Sequence, residues 1–117
     1  MTDRELLEAA ARAAGIANTG EVYALGLKLL DGPHNYWNPL ANDGDALRLA
    51  VALLISVKHP DPADLGGGVV TAQLCKSKCR YLFLERTWVS VGYGNGDPHA
   101  ATRRAIVRAA AALGGAA

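Results

Sequence analysis

Residues 36–51 read YWNPLANDGDALRLAV and join an aromatic pair, an acidic turn and an apolar segment. The turn, residues 42–45, offers either oxygen ligands for a metal or a cap for a helix. A calcium loop of the EF-hand kind needs oxygen ligands spread over about twelve residues, and residues 46–54 supply no side-chain oxygen. Asparagine followed by acids is instead typical of a helix N-terminus. We therefore predict a helix capped by Asn42 and, because residues 46–54 are almost wholly apolar, buried on most of its surface.

Two more helices are predicted near the ends of the chain. Residues 2–5 (TDRE) fit a capping box in which Thr2 is the cap, and Gly15 is placed to end that helix. Towards the other end Asp97 is the predicted cap of a helix that closes at Gly114. Both segments carry apolar residues at helical spacing, which gives each helix one face for a core.

An apolar period of two predicts strands between the helices. The segments are residues 21–30, 34–37, 55–58, 69–75 and 79–91. The order αββαβββα predicts a single α+β domain over residues 1–117, with a mostly antiparallel sheet of four or five strands covered by three helices. A self-associating strand edge is one route to a homo-oligomer of such a domain.

Composition narrows the function. The formal net charge of +1 is too small for the field of a dedicated nucleic-acid binder, so nucleic acid is an unlikely partner. No apolar run reaches the roughly 18 residues of a membrane span, and acids stand where a signal peptide carries basic and apolar residues. We therefore expect a soluble, cytoplasmic protein without a membrane partner.

Cysteines, histidines and glycines offer weaker signals. Cys75 and Cys79 could join histidines in a zinc site, but no histidine lies at a usual ligand spacing, so free thiols or an incidental disulfide are favoured. Residues 92–96 (GYGNG) could hold a phosphate before a helix; Asp97 would repel it, so a flexible link is favoured. No metal or cofactor is predicted.

The remaining candidates are residues for contact with a partner. Arg103, Arg104 and Arg108 form either a solvated helix surface or a patch for an acidic partner. Trp88 and Tyr93 would be good interface anchors if exposed. The sequence shows no arrangement of serine, histidine and acid that suggests catalysis, and it has no paired carboxylates outside the acidic turn. The chain is therefore not expected to be an enzyme.

Three segments resemble a known family when taken together. Residues 1–16, 37–51 (WNPLANDGDALRLAV) and 97–110 (DPHAATRRAIVRAA) are similar to small phage and prophage proteins known as the phage ABA sandwich domain, of uncharacterised function. The resemblance implies a sheet with helices on both faces and expression inside a bacterial host cell. It carries over no catalytic residue. Residues 55–91 show no such similarity and are where an individual function would sit.

Two functions follow as hypotheses. The first is a phage accessory protein that binds a host protein, for example as an inhibitor of a host defence system, in the manner of an anti-CRISPR protein. The alternative is a small-ligand or nucleotide-binding protein, a sponge, that uses the glycine segment and the arginines of the last helix.

Overall fold

The computed structural model describes residues 2–30, 35–59, 68–75, 86–94 and 96–114. Their elements follow the order αβββαβββα, an α+β fold with three helices and six strands. The α+β class and the three helices were predicted correctly. The strands form two antiparallel three-stranded sheets, so the prediction of a single sheet of four or five strands was wrong.

All three helices begin at the predicted caps. Helix α1 spans Asp3–Ala14, α2 spans Asp43–Leu53 and α3 spans Pro98–Leu113. The hydroxyl of Thr2 accepts a hydrogen bond from the backbone N–H of Glu5 at 3.2 Å, which satisfies one of the free N–H groups at the start of α1. Asn42 and Asp97 do the same for α2 and α3.

The first sheet has the order β1-β2-β3, with β1 at Asn18–Tyr23, β2 at Gly26–Leu29 and β3 at Tyr36–Trp37. Residues 21–30 were predicted to be one strand, but the chain turns at positions 24–25 and pairs back on itself. Gly26 permits this with a φ of +122°, and a Cβ there would lie 2.6 Å from the carbonyl oxygen of Trp37. Glycine is therefore required both by the backbone and by the close approach of β3.

The second sheet has the order β4-β5-β6, with β4 at Ser56–Lys58, β5 at Gly68–Cys75 and β6 at Arg86–Gly94. Strand β5 is central and pairs antiparallel with both neighbours. Gly92 and Gly94 belong to β6, so the prediction of a flexible link over residues 92–96 was wrong for residues 92–94.

The helices connect the two sheets. Helix α1 packs against β1 and β2, α3 packs against β5 and β6, and the two helices pack on each other. Their contact is rich in alanine, which lets helix backbones approach closely. The largest fully buried side chains of the described residues include Leu27 of β2, Val70 of β5 and Val107 of α3. Helix α2 packs mainly on α3, so one side of it is left without a covering element among the described residues.

Candidate binding groove

The acidic turn before α2 acts as a helix cap. The side-chain oxygen of Asn42 accepts from the backbone N–H of Asp45 at 2.9 Å. The carboxylate of Asp45 accepts from the backbone N–H of Asn38 at 3.0 Å. The turn therefore satisfies backbone donors at the start of the helix, as the sequence predicted.

The other carboxylate of the turn ties α2 to α3. The guanidinium of Arg103 lies 2.6 Å from Asp43 and also donates to the carbonyl oxygen of Leu40 at 2.9 Å. Asp45 is paired in turn with Arg48 at 2.6 Å. Within the described ranges no cluster of three or more histidine, cysteine or acidic residues is placed to hold a metal ion.

Helix α2 is much less buried than its apolar sequence predicted. Leu47, Val51 and Leu54 are 64%, 66% and 60% exposed, whereas Leu49 is 2% exposed. The buried side faces α3, and the exposed residues follow one another at i, i+4 and i+7, which places them on one face. The prediction of a helix buried nearly all round was therefore wrong, and these three residues were missed as site candidates.

The exposed face forms one wall of a groove of about 780 Å³ between α2, α3 and β4, here called the α2 groove. Beside Leu47, Val51 and Leu54, it is lined by Val57 of β4 and by Ile106 of α3. Its polar positions are Ser56, His59, His99, Thr102 and the paired Asp43 and Arg103. The groove is thus apolar along α2 and polar at its margins, the usual composition of a binding site.

Leu54 at the end of α2 has an unusual backbone. Its φ of +56° is the only positive value among the described non-glycine residues. The N–H groups of Leu54 and Ile55 bond to the carbonyls of Val51 and Ala50 at 3.3 and 2.8 Å. This is a Schellman motif, which favours glycine at the left-handed position.

Helix α1 ends in the same motif with glycine at that position. Gly15 has a φ of +70°, and the N–H groups of Gly15 and Ile16 bond to the carbonyls of Arg12 and Ala11. Leu54 therefore holds a strained conformation, whereas α1 avoids this strain by having glycine at the equivalent position. Because its side chain is mostly exposed, the fold gains little from leucine there. Backbone strain of this kind is concentrated at functional sites.

The predicted arginine patch is largely engaged within the chain. Arg103 is held by Asp43, and Arg104 lies 2.8 Å from Asp3 at the start of α1. Arg108 is exposed and also has an interaction within the chain. Of the three, only Arg103 lines the α2 groove.

The side chains of the other sequence candidates lie outside the part of the chain that the structure describes. Trp88 and Tyr93 belong to β6, but their side chains lie outside the description. Cys75 ends β5, and Cys79 lies outside the described residues.

The N-terminus of α3 already holds a carboxylate. The backbone N–H groups of Ala100 and His99 lower the pKa of Asp97 below its ordinary value, since they stabilise the charged form. The bond from His99 N–H to Asp97 is 2.9 Å. The position that a phosphate would take at this helix end is therefore occupied by a side chain of the chain itself.

Comparison with family models, with curated proteins and with solved structures finds no match to this chain. No helix in the described ranges combines the length and the apolarity needed to cross a membrane.

Proposed function

We propose that this chain acts by binding another protein and that the α2 groove is its contact surface. The observation that carries the proposal is the exposed apolar face of Leu47, Val51 and Leu54 on a helix whose other side packs against α3. Contiguous exposed apolar side chains, bordered by polar groups, are typical of protein interaction sites. The strain at Leu54 supports the same surface, since a residue better suited to the fold would be glycine.

The resemblance to phage proteins supports a partner from the bacterial host cell. A phage accessory protein meets host proteins in the cytoplasm, and an apolar binding surface suits inhibition by occupation. A host defence protein is the narrower form of this proposal and rests on the resemblance alone.

The alternative of a nucleotide-binding protein has less support from the geometry. The volume of the α2 groove lies within the usual range for small ligands, about 300 to 1,000 Å³. Its one arginine, however, is neutralised by Asp43 at 2.6 Å. The helix end near the glycines is occupied by the carboxylate of Asp97. A phosphate would have to displace both carboxylates.

Affinity capture from host lysates tests the proposal. The tagged chain is compared with Leu47→Asp and with Leu25→Asp, a matched control because Leu25 is 67% exposed in the β1–β2 turn. A host protein that is captured by the wild type and by Leu25→Asp, but not by Leu47→Asp, is the expected result. Its binding is then measured with both purified proteins by calorimetry.

Retention of the purified partner at unchanged affinity by Leu47→Asp would show that the α2 groove is not the contact surface. Thermal-shift titration with nucleotides distinguishes the alternative. A melting temperature that rises with nucleotide concentration in the wild type, and does not rise in Arg103→Ala, would favour the ligand-binding hypothesis instead.

A further inference from the structure

We propose that a second copy of this chain occupies the α2 groove, so that two chains form a symmetric dimer through antiparallel α2 helices. The proposal rests on the proposed function in one respect, because the dimer would control the access of a protein partner to the same groove. The groove is closed in the dimer and open to a protein partner in the monomer.

The exposed face of α2 is compatible with a two-fold axis across it. Leu47 and Leu54 are equally distant from the midpoint between Ala50 and Val51. Two antiparallel copies of α2 centred on this midpoint therefore place Leu47 of each chain against Leu54 of the other. A two-fold interface requires such a patch, since the same residues serve on both sides.

Charge favours the antiparallel direction. Asp43 in the first turn of α2 has a side chain that is 73% exposed despite its pair with Arg103. Lys58 and His59 follow the other end of α2 and are exposed. In the antiparallel arrangement, Asp43 of each chain meets the end of α2 that leads into Lys58 and His59 of the other chain, twice by symmetry. The helix dipoles are then opposed as well.

Leu54 gives an independent reason for a leucine-to-leucine contact. In the isolated chain its exposed side chain offers little to offset the left-handed backbone at φ +56°. In the dimer that side chain is covered by Leu47 of the second copy. A residue whose backbone is strained in the isolated chain thus contributes its side chain to the dimer interface.

The apolar patch is small, so the dimer should be weak. Three exposed side chains per chain are few compared with the roughly 20 to 30 residues a side of a standard stable interface. We expect a monomer–dimer equilibrium that shifts with concentration, which is what leaves the groove accessible to a competing partner.

Sedimentation velocity of the full chain over a wide concentration range tests the dimer. The wild type and Leu25→Asp should show the same monomer–dimer equilibrium, and Leu47→Asp should raise the dissociation constant at least about tenfold, equivalent to 1.4 kcal/mol. Lys58→Glu should weaken the dimer and the control Lys28→Glu should not. A wild type that stays monomeric throughout, or a dimer that is insensitive to Leu47→Asp, would overturn the proposal. The second result would point to a strand edge.

Disulfide trapping tests the direction of the helices. Leu47→Cys and Leu54→Cys are prepared separately in a background of Cys75→Ser and Cys79→Ser, then mixed and oxidised. The mixed disulfide between the two variants should exceed either disulfide between identical variants. An excess of disulfides between identical variants would refute the antiparallel arrangement.

Partner capture separates this proposal from the proposed function. If Leu47→Asp loses the dimer but keeps the host partner, the groove is not the partner site and the dimer stands. If the wild type is monomeric and Leu47→Asp loses the partner, the dimer is refuted and the proposed function stands.

Discussion

At the scale of single residues, Leu54 is unfavourable for the end of α2 but supplies an exposed apolar side chain to the α2 groove. The same helix-ending motif uses glycine at position 15 and leucine at position 54. A left-handed backbone costs a non-glycine residue roughly 1 to 2 kcal/mol. Burial of the leucine side chain returns less than this, since complete burial contributes about 1.5 to 3 kcal/mol and the side chain is 60% exposed.

Leu54→Gly should therefore change the free energy of unfolding by less than about 1 kcal/mol, because relief of strain offsets the lost contacts. Leu49→Ala is the matched comparison, since Leu49 is buried on the inner side of α2, and it should cost about 2 to 5 kcal/mol. Urea denaturation measures both. A loss at Leu54→Gly as large as that at Leu49→Ala would mean that Leu54 is there for the fold.

Asp97 makes stability depend on pH in acid. Because the backbone N–H groups of Ala100 and His99 lower its folded pKa, the carboxylate stabilises α3 above the unfolded pKa of about 3.9. That contribution is lost as the pH falls through the lower folded pKa. Asp97→Asn keeps a good cap, so it should fold normally at pH 7 and lose less stability between pH 4 and 2 than the wild type. Urea midpoints are measured across this range. If they changed with pH equally in both proteins, the role assigned to Asp97 would be contradicted.

At the scale of elements, the contact between α1 and α3 depends on small residues. Ala9 and Ala10 of α1, and Ala105, Ala109 and Ala110 of α3, are fully buried. Gly114 ends α3 so close to α1 that an added Cβ would lie 2.0 Å from the carbonyl oxygen of Ala9. The obstacle is backbone, so it cannot rotate away, and the two helices would have to separate.

Gly114→Ala should lower the free energy of unfolding by about 1 to 3 kcal/mol through this overlap. Its φ of −78° suits any residue, so the effect is steric. Gly15→Ala is the contrasting variant, because nothing lies within 4 Å of the added Cβ and only the φ of +70° opposes it. Both losses are measured by thermal and urea unfolding. In a double variant of Gly114→Ala with Ala9→Gly the loss should persist, since the overlap is with backbone; recovery would contradict this reading.

Element ends were predictable and element partners were not. Thr2, Asn42 and Asp97 are caps in the structure because capping depends on a few adjacent residues. The hairpin within residues 18–29 was missed, since its alternating apolar residues continue through the turn and only Gly26 marks the break. A period of two cannot show where a strand reverses. The division into two sheets depends on contacts between distant residues, which no local pattern contains.

At the scale of the whole molecule, the α2 groove exists because the helices and sheets of the described residues leave one side of α2 uncovered. Sequence patterns could not identify its residues, since an apolar helix is predicted to be buried whether or not a neighbouring element covers it. Arg103, a candidate for partner contact, also joins α3 to the start of α2, which no local pattern could show. The signal that could have been used is Leu54, a leucine where a helix end favours glycine.

The exposed patch also sets the expected strength of association. Covering Leu47, Val51 and Leu54 in both chains of a dimer contributes roughly 5 to 11 kcal/mol, against an association cost of about 4 to 15 kcal/mol. We therefore expect a melting temperature that rises modestly with protein concentration, because the dimer binds only folded chains. Calorimetry at several concentrations measures this. Leu47→Asp should remove the dependence, and a wild-type melting temperature independent of concentration would contradict it.

The leucine at the end of α2 has a consequence for attempts to make this protein more heat-resistant. Laboratory selection that rewards survival at high temperature alone should accept glycine or asparagine at position 54 readily. Such variants would pass every thermal screen while losing part of the surface through which the protein meets other molecules.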